Sequence, residues 1–291
     1  MQKTAIITDS SAYLTKAEQK KYRVWVLADP VLFGEHTYHE GVDLDSASFF
    51  SKLKTSRIIP TTSQASRKQI QQALEQVKAD GFQAVIIIGL SSGLSGFINS
   101  ARQCVHLVSG MTVYVWDSHI ACSGAGNQVR LAASLAQKNW TAPDILDRLK
   151  KLRQTTNSWF VVDNMRYLLK TGRISNAQSL LGSLLQIKPL LTFNQRGQIV
   201  AYGKVRTMKK AFFNILEHFS GLIKEVSYPL RITVVDGHNP KLKQAWIKTI
   251  STRFPTLKVE SSLIGPYISV HTGPGAMGFI YAQDWQSLLL N

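Results

Sequence analysis

Residues 84–89, Ala-Val-Ile-Ile-Ile-Gly, form an unbroken apolar run, which predicts a strand buried on both faces. A β-rich run at 4–8 and an apolar stretch at 24–33 precede it. Between them and the buried strand the period changes. Ile70, Ala73, Leu74 and Val77 recur three and four apart behind Ser66, the pattern of an amphipathic helix with a serine cap. A helix over 95–108, a strand at 113–116 and a helix over 122–137 are expected next. Strands alternating with helices predict a parallel sheet with helices on both faces. Thr141 caps one more helix, with Asp144 near its positive end.

Beyond residue 157 the alternation gives way to a mixed pattern. A strand at 160–162 is followed by a helical turn at 165–170 that stops at Gly172. Residues 176–185 have helical character. Strands at 187–193 and 198–205 are joined through Asn194-Gln195-Arg196-Gly197, a hairpin turn. Helix 208–223, strand 230–235, helix 241–253 and strand 258–262 complete the reading. Ile268-Ser269-Val270 looks like a short β-like run ending at His271. The predicted fold class is α/β: an N-terminal parallel-sheet domain (1–155), then a C-terminal α+β domain (156–291). The boundary falls in the polar stretch 154–157.

Composition narrows the function. The chain has 291 residues, 44% of them hydrophobic, which is enough for a full core. Mean hydropathy is -0.04, and no apolar run is long enough to span a bilayer. The first residues read as a buried strand, not as a secretory signal. Cys104 and Cys122 form no metal-ligand spacing. Two thiols without an export signal fit a reducing cytoplasm. Charge is the unusual property: 34 Lys+Arg against 18 Asp+Glu give a net +16. Such a surface attracts nucleic acid or anionic lipid. The basic residues are scattered and form no dense tail.

Three signatures carry candidate chemistry: Thr61-Thr62-Ser63-Gln64, Ser91-Ser92-Gly93-Leu94-Ser95-Gly96 and His271-Thr272-Gly273-Pro274-Gly275. They offer hydroxyls, an imidazole and backbone N–H groups, and no carboxylate beside the hydroxyls. Donors without a strong base suit holding an anion. The serine–glycine segment follows a strand and opens a helix, where helix N-termini bind anions. It lacks the Gly-Lys-Ser/Thr ending of a phosphate loop. It also lacks a nucleophile elbow, because Phe97 stands where the last glycine is needed. Asp9, just after the first strand, reads as a turn cap.

These blocks, in this order and spacing, resemble the DegV family of bacterial fatty-acid-binding proteins, which includes the FakB subunits of fatty acid kinase. The resemblance covers about residues 3–289. It includes Ile7-Thr8-Asp9-Ser10-Ser11, Tyr38-His39-Glu40-Gly41-Val42-Asp43, Leu169-Lys170-Thr171-Gly172-Arg173-Ile174-Ser175, Ile187-Lys188-Pro189 and Lys204-Val205-Arg206-Thr207. Two residues depart from the family pattern. Ala65 replaces a proline and Phe97 replaces a polar residue, and both are expected to reshape the pocket.

The resemblance implies a long-chain fatty acid held between the two domains, with no cofactor, no metal and no catalytic residue. It implies that Thr62 and Ser95 hold the carboxylate, with Ser92 and His271 as further donors. It also implies that a separate fatty acid kinase phosphorylates the bound acyl group, and that an exposed Arg173 docks that kinase. Net positive charge adds an expected transient contact with anionic membrane. The helical segment at 180–185 is either tunnel lining or core. Two other functions compete: an acyl hydrolase using Ser95 and His271, and a basic nucleic-acid binder, for which no recognition motif is present.

Overall fold

The computed structural model describes residues 3–175 and 187–290. The chain opens with β1 (Thr4–Asp9), α1 (Lys16–Tyr22), β2 (Val24–Leu27), β3 (Pro30–Phe33) and β4 (His36–His39). It continues through α2 (Ser46–Thr55), β5 (Thr61–Thr62), α3 (Arg67–Ala79), β6 (Ala84–Gly89) and α4 (Phe97–Arg102). Then come β7 (Thr112–Asp117), α5 (Ser123–Gln137), α6 (Ala142–Thr155), β8 (Asn157–Val161) and α7 (Arg166–Thr171). The last part holds β9 (Lys188–Phe193), β10 (Ile199–Val205), α8 (Met208–Leu222), β11 (Leu230–Asp236) and α9 (Pro240–Arg253). It closes with β12 (Lys258–Leu263), α10 (Pro266–Thr272) and β13 (Met277–Gln283).

The expected parallel sheet is present, with strand order β2-β1-β6-β7. All its pairings are parallel. Its alternate residues feed two cores, as a sheet covered on both faces requires. Ile6, Ile86 and Ile88 pack with α5 and α6, while Ile7, Val85 and Ile87 pack with α3 and α4. Ser66 caps α3 through a reciprocal bond with Gln69, and Thr141 caps α6.

A second sheet of six strands runs β10-β9-β8-β13-β11-β12. Only β11 and β12 are parallel; the other neighbours are antiparallel. One face carries Phe279, Tyr281 and Val161 against α8 and α9. The other carries Phe160, Leu191, Val235 and Ile280, which join a core shared with Leu90, Ile120 and Ala125 from the first half. A third, small antiparallel sheet has the order β4-β3-β5.

Several elements differ from the pattern reading. The stretch 24–33 is two strands in two sheets, because the chain turns at the buried Asp29 before Pro30. The helix expected over 95–108 is confined to Phe97–Arg102, and turns lead from it to Gly110, which has φ +71°. Residues 268–270 lie inside a helix, α10, and His271 lies on its last turn. Pro266 at the first helical position favours that start, and Gly273 at φ +71° ends it. Ala65 and Phe97 are both buried in the core between the first sheet and α3. Neither lines the cavity described below. The segment 176–185, including 180–185, lies outside the described residues.

Candidate anion and acyl-chain site

Thr62 is placed by the smallest sheet: it pairs with Val31, and β3 and β5 both pack against α10. Across that contact Thr62 Oγ1 lies 2.8 Å from Nε2 of His271, 209 positions away in the chain. The other imidazole nitrogen, Nδ1, is buried and has no hydrogen-bond partner among the described residues. Burial, and then the positive charge of Arg173, push His271 down to about 3. Its ring is therefore neutral at neutral pH.

Ser95 reaches the same helix by another route. Its Oγ accepts the N–H of Phe97 at 3.2 Å, and its side chain is close enough to Tyr267 to favour the ionised phenol slightly. Tyr267 and His271 stand four apart on α10, so one helix face presents both. Burial, followed by the charge of Asp29, raises the Tyr267 phenol, which therefore stays protonated. Tyr267 belongs to none of the three signatures. The readable signal was its i, i+4 relation to His271 behind Pro266.

Ser92 is not brought to this group. It is exposed, and its N–H donates to Asp117 Oδ1 at 3.2 Å. The glycine beside it has a structural task. A Cβ on Gly93 would meet the Gly197 carbonyl at 2.6 Å, and Ser91 Oγ donates to that same carbonyl at 2.7 Å. The serine–glycine loop thus seats the β9–β10 hairpin turn. Arg173 is half-buried on the turn after α7, which corrects the expectation of an exposed arginine. Its guanidinium donates to the Thr171 carbonyl, and its charge is felt at both His271 and Tyr267.

A small apolar cavity of about 50 Å³, partly open to solvent, is lined by chain neighbours of these donors, though by none of the four themselves. Phe160, Val235, Gly278, Ile280, Phe193 and Ile199 form its floor on the second sheet. Register explains the grouping: Gly278 pairs with both Phe160 and Val235, and Phe193 pairs with Ile199. Leu94, Ala121 and Cys122 cover it from the first half, and Ile264, Ile268 and Thr272 from α10 and the residues before it. Leu94 is next to Ser95, while Ile268 and Thr272 are next to Tyr267 and His271. The donors and the apolar walls are therefore neighbouring faces of the same loop and helix.

The geometry does not assemble a hydrolytic dyad. His271 Nε2 is engaged by Thr62, and Ser95 Oγ accepts the Phe97 N–H. An imidazole near 3 is a weak general base at neutral pH. Among the described residues no group of histidine, cysteine and carboxylate side chains is arranged to hold a metal ion. Among them, too, no helix is long and apolar enough to cross a membrane.

Comparison with known proteins agrees with the sequence resemblance. The family described as "Uncharacterised protein, DegV family" matches residues 3–284. A DegV domain-containing protein of Listeria innocua is 36% identical over 281 residues, 97% of this chain and 99% of that protein. The crystal structure of DegV from Bacillus subtilis, titled a fatty acid binding protein, superposes with a TM-score of 0.89 at 33% identity. That match covers 97% of this chain and 100% of the other. A DegV family protein from Thermus thermophilus, whose title describes fatty acid binding, also gives 0.89, at 27% identity and with coverage of 97% and 100%. The chain belongs to the DegV family.

Proposed function

We propose that this protein binds one long-chain fatty acid, with the carboxylate among Thr62, Ser95, Tyr267 and His271 and the tail entering at the small apolar cavity, whose walls part to take it. The observation that carries this reading is the Thr62–His271 contact, with a buried, unpartnered Nδ1, on the helix whose Ile268 and Thr272 line the apolar cavity. A buried carboxylate needs several donors, and neutral hydroxyls and imidazole supply them without cleaving a bond. Each methylene removed from water contributes about 0.8 kcal/mol, so a chain of ~15 contributes on the order of 12 kcal/mol before the costs of binding. Relatives whose titles name fatty acid binding support the same ligand.

The protein then acts as a non-catalytic carrier between domains 1–155 and 156–291 and presents the carboxylate to a separate fatty acid kinase. Arg173 is the proposed docking residue. Its charge reaches His271, so a kinase docked there would sit close to the carboxylate. The net charge of +16 draws the protein to anionic lipid surfaces during ligand exchange. Flotation with anionic vesicles that weakens along a salt series is the expected result; equal recovery with neutral vesicles removes this step.

The central test is mass spectrometry of the protein under native conditions, with extraction of the bound lipid. One fatty acid per chain is expected. A protein that carries none and takes up none from added palmitate or oleate overturns the reading. Release of free acid from acyl esters, lost in Ser95→Ala, would favour the hydrolase instead.

A further inference from the structure

Three carboxyl groups lie buried directly behind the proposed anion site. Asp9 ends β1, Asp29 sits between β2 and β3, and Glu40 follows β4; all three are almost fully buried. Asp9 and Glu40 are each tied to a structural part that carries a donor, and Asp29 is joined to Glu40 through Ser10. Asp9 Oδ2 accepts the Leu90 N–H at 2.7 Å, at the start of the loop that holds Ser95. Glu40 Oε1 accepts the Tyr267 N–H at 2.9 Å and so caps α10 from another segment. The Tyr13 hydroxyl accepts the Ile268 N–H at 3.3 Å and acts to lower the Glu40 carboxyl.

Ser10 shows that a proton is missing from the simplest charge assignment. Its Oγ lies 2.6 Å from Glu40 Oε2 and 3.0 Å from Asp29 Oδ2. One hydroxyl carries one proton and cannot serve two ionised carboxylates. With the Asp29 N–H also donating to Ser10 Oγ at 3.2 Å, the shorter contact is best satisfied by a proton on Glu40 or Asp29, donated to the serine oxygen. The groups facing this pair are Asp9 from β1, Tyr13 from the turn after it, Cys122 before α5 and Tyr267 of α10. None of them is a cation. A surface cleft reaches Asp9, Ser10, Tyr13 and Glu40 from outside, with Lys16 and Asp45 among its lining, and gives the proton a route from solvent.

We propose that the Glu40–Ser10–Asp29 group is a proton site linked to ligand binding: it takes up a proton as an anionic head group settles against Tyr267 and His271. The inference rests on the fatty acid reading and adds the proton balance of that same site. Like charges in one buried region disfavour each other's ionisation. The Asp29 and Asp9 charges already act on the Tyr267 hydroxyl, so an anion bound there acts on them in return. Binding couplings of this kind are reciprocal. Burial, with a smaller push from Asp9, already raises Glu40 to about 7, within the range where a further shift changes its occupancy. The incoming proton comes from water through the cleft, and no covalent bond changes.

The test is titration calorimetry of the delipidated protein with laurate, kept monomeric, in two buffers of unlike ionisation heat at about pH 7.5. The expected result is uptake of about half a proton per ligand and an affinity that falls roughly three- to tenfold between about pH 6.5 and 8.5. In Glu40→Gln and Asp29→Asn the uptake is expected to shrink and the pH slope to flatten. Asp29 makes no hydrogen bond to α10, so Asp29→Asn carries the comparison if Glu40→Gln does not fold. Identical heats in the two buffers for the unaltered protein overturn the proposal without any variant. Uptake that survives both variants but vanishes in His271→Asn also overturns it and assigns the proton to the imidazole. If neither laurate nor oleate binds the unaltered protein, it is the fatty acid reading that fails.

Discussion

Thr62 and His271 satisfy each other, and this makes a single side chain informative twice. Thr62→Val leaves a buried imidazole nitrogen unpaired, which costs about 1–3 kcal/mol, and removes a donor from the carboxylate. We expect a lower melting temperature and a fatty acid affinity weaker by roughly tenfold to a hundredfold. Adding His271→Leu is expected to restore much of the stability, because both polar partners are then gone, but not the affinity. Thermal melts and displacement of a fluorescent fatty acid separate the two effects. The titratable residues make a second prediction. Glu40 has its carboxyl raised from 4.5 to about 7 by burial. Over that range the folded state holds the extra proton, so stability falls as pH rises. Glu40→Gln is expected to flatten this fall, gaining on the order of 3 kcal/mol relative to the unaltered protein between about pH 5 and 8. His271 has the opposite sign: lowered from 6.5 to about 3, it withdraws stability as pH falls below about 6.5. Thr62, Ser95 and His271 could be read from sequence because each sits in a small-residue signature. Glu40 and Tyr267 could not be assigned these roles, because their partners come from other segments.

At the scale of the element, α10 decides whether the donors meet. Its N-terminus has no side-chain cap of its own, and the Glu40 carboxyl supplies one from outside. That closeness requires Gly265. A Cβ there would meet the Tyr13 ring and lie 2.7 Å from Glu40 Oε1. Gly265→Ala is therefore expected to cost about 1–3 kcal/mol and to weaken ligand binding by shifting α10. Gly221→Ala is the contrast. It lies in α8 with nothing near its would-be Cβ, and should gain about 0.5–1 kcal/mol from helix propensity without altering binding. Melts and ligand titrations on both variants check the pair; a binding loss shared by both would remove the special role of α10. This helix also shows where sequence reading fails. Ile268 and Val270 put two β-branched residues into a seven-residue helix, and local propensity points to a strand. Tertiary contacts override it: α10 is fixed by packing against α7, β3 and α2. The strands of the parallel sheet were legible for the converse reason. The continuous apolar runs of β1 and β6 are buried on both faces, so composition and location agree. Central β13 is buried in the same way, with Phe279 and Tyr281 on one side and Ile280 on the other, but Gly278 and Ala282 interrupt its bulky residues.

In the whole molecule the two large sheets are joined through the core that surrounds the cavity. Phe160, Leu191, Val235 and Ile280 of the second sheet share that core with Leu90, Ile120, Ala121 and Ala125 of the first half. The segment after β13 crosses back as well: Trp285 and Leu288 pack with α5 and α6 in the core of the first sheet. Such interlocking predicts that both halves unfold together. A fatty acid lying in the shared core touches both sides, so its binding energy is coupled to unfolding of the whole chain and not of one half. A ligand present at about a hundred times its dissociation constant adds about 2.7 kcal/mol. For a chain of this size each kcal/mol moves the midpoint by roughly 2–4 °C. Delipidation is therefore expected to lower the melting temperature by several degrees while leaving one calorimetric transition, and added oleate should restore it. Two separated transitions, only one of them responding to oleate, would place the ligand in one half and contradict a shared cavity. The restoration should also be weaker at pH 8.5 than at pH 6.5, because the carboxyls behind α10 then carry more negative charge against the incoming head group.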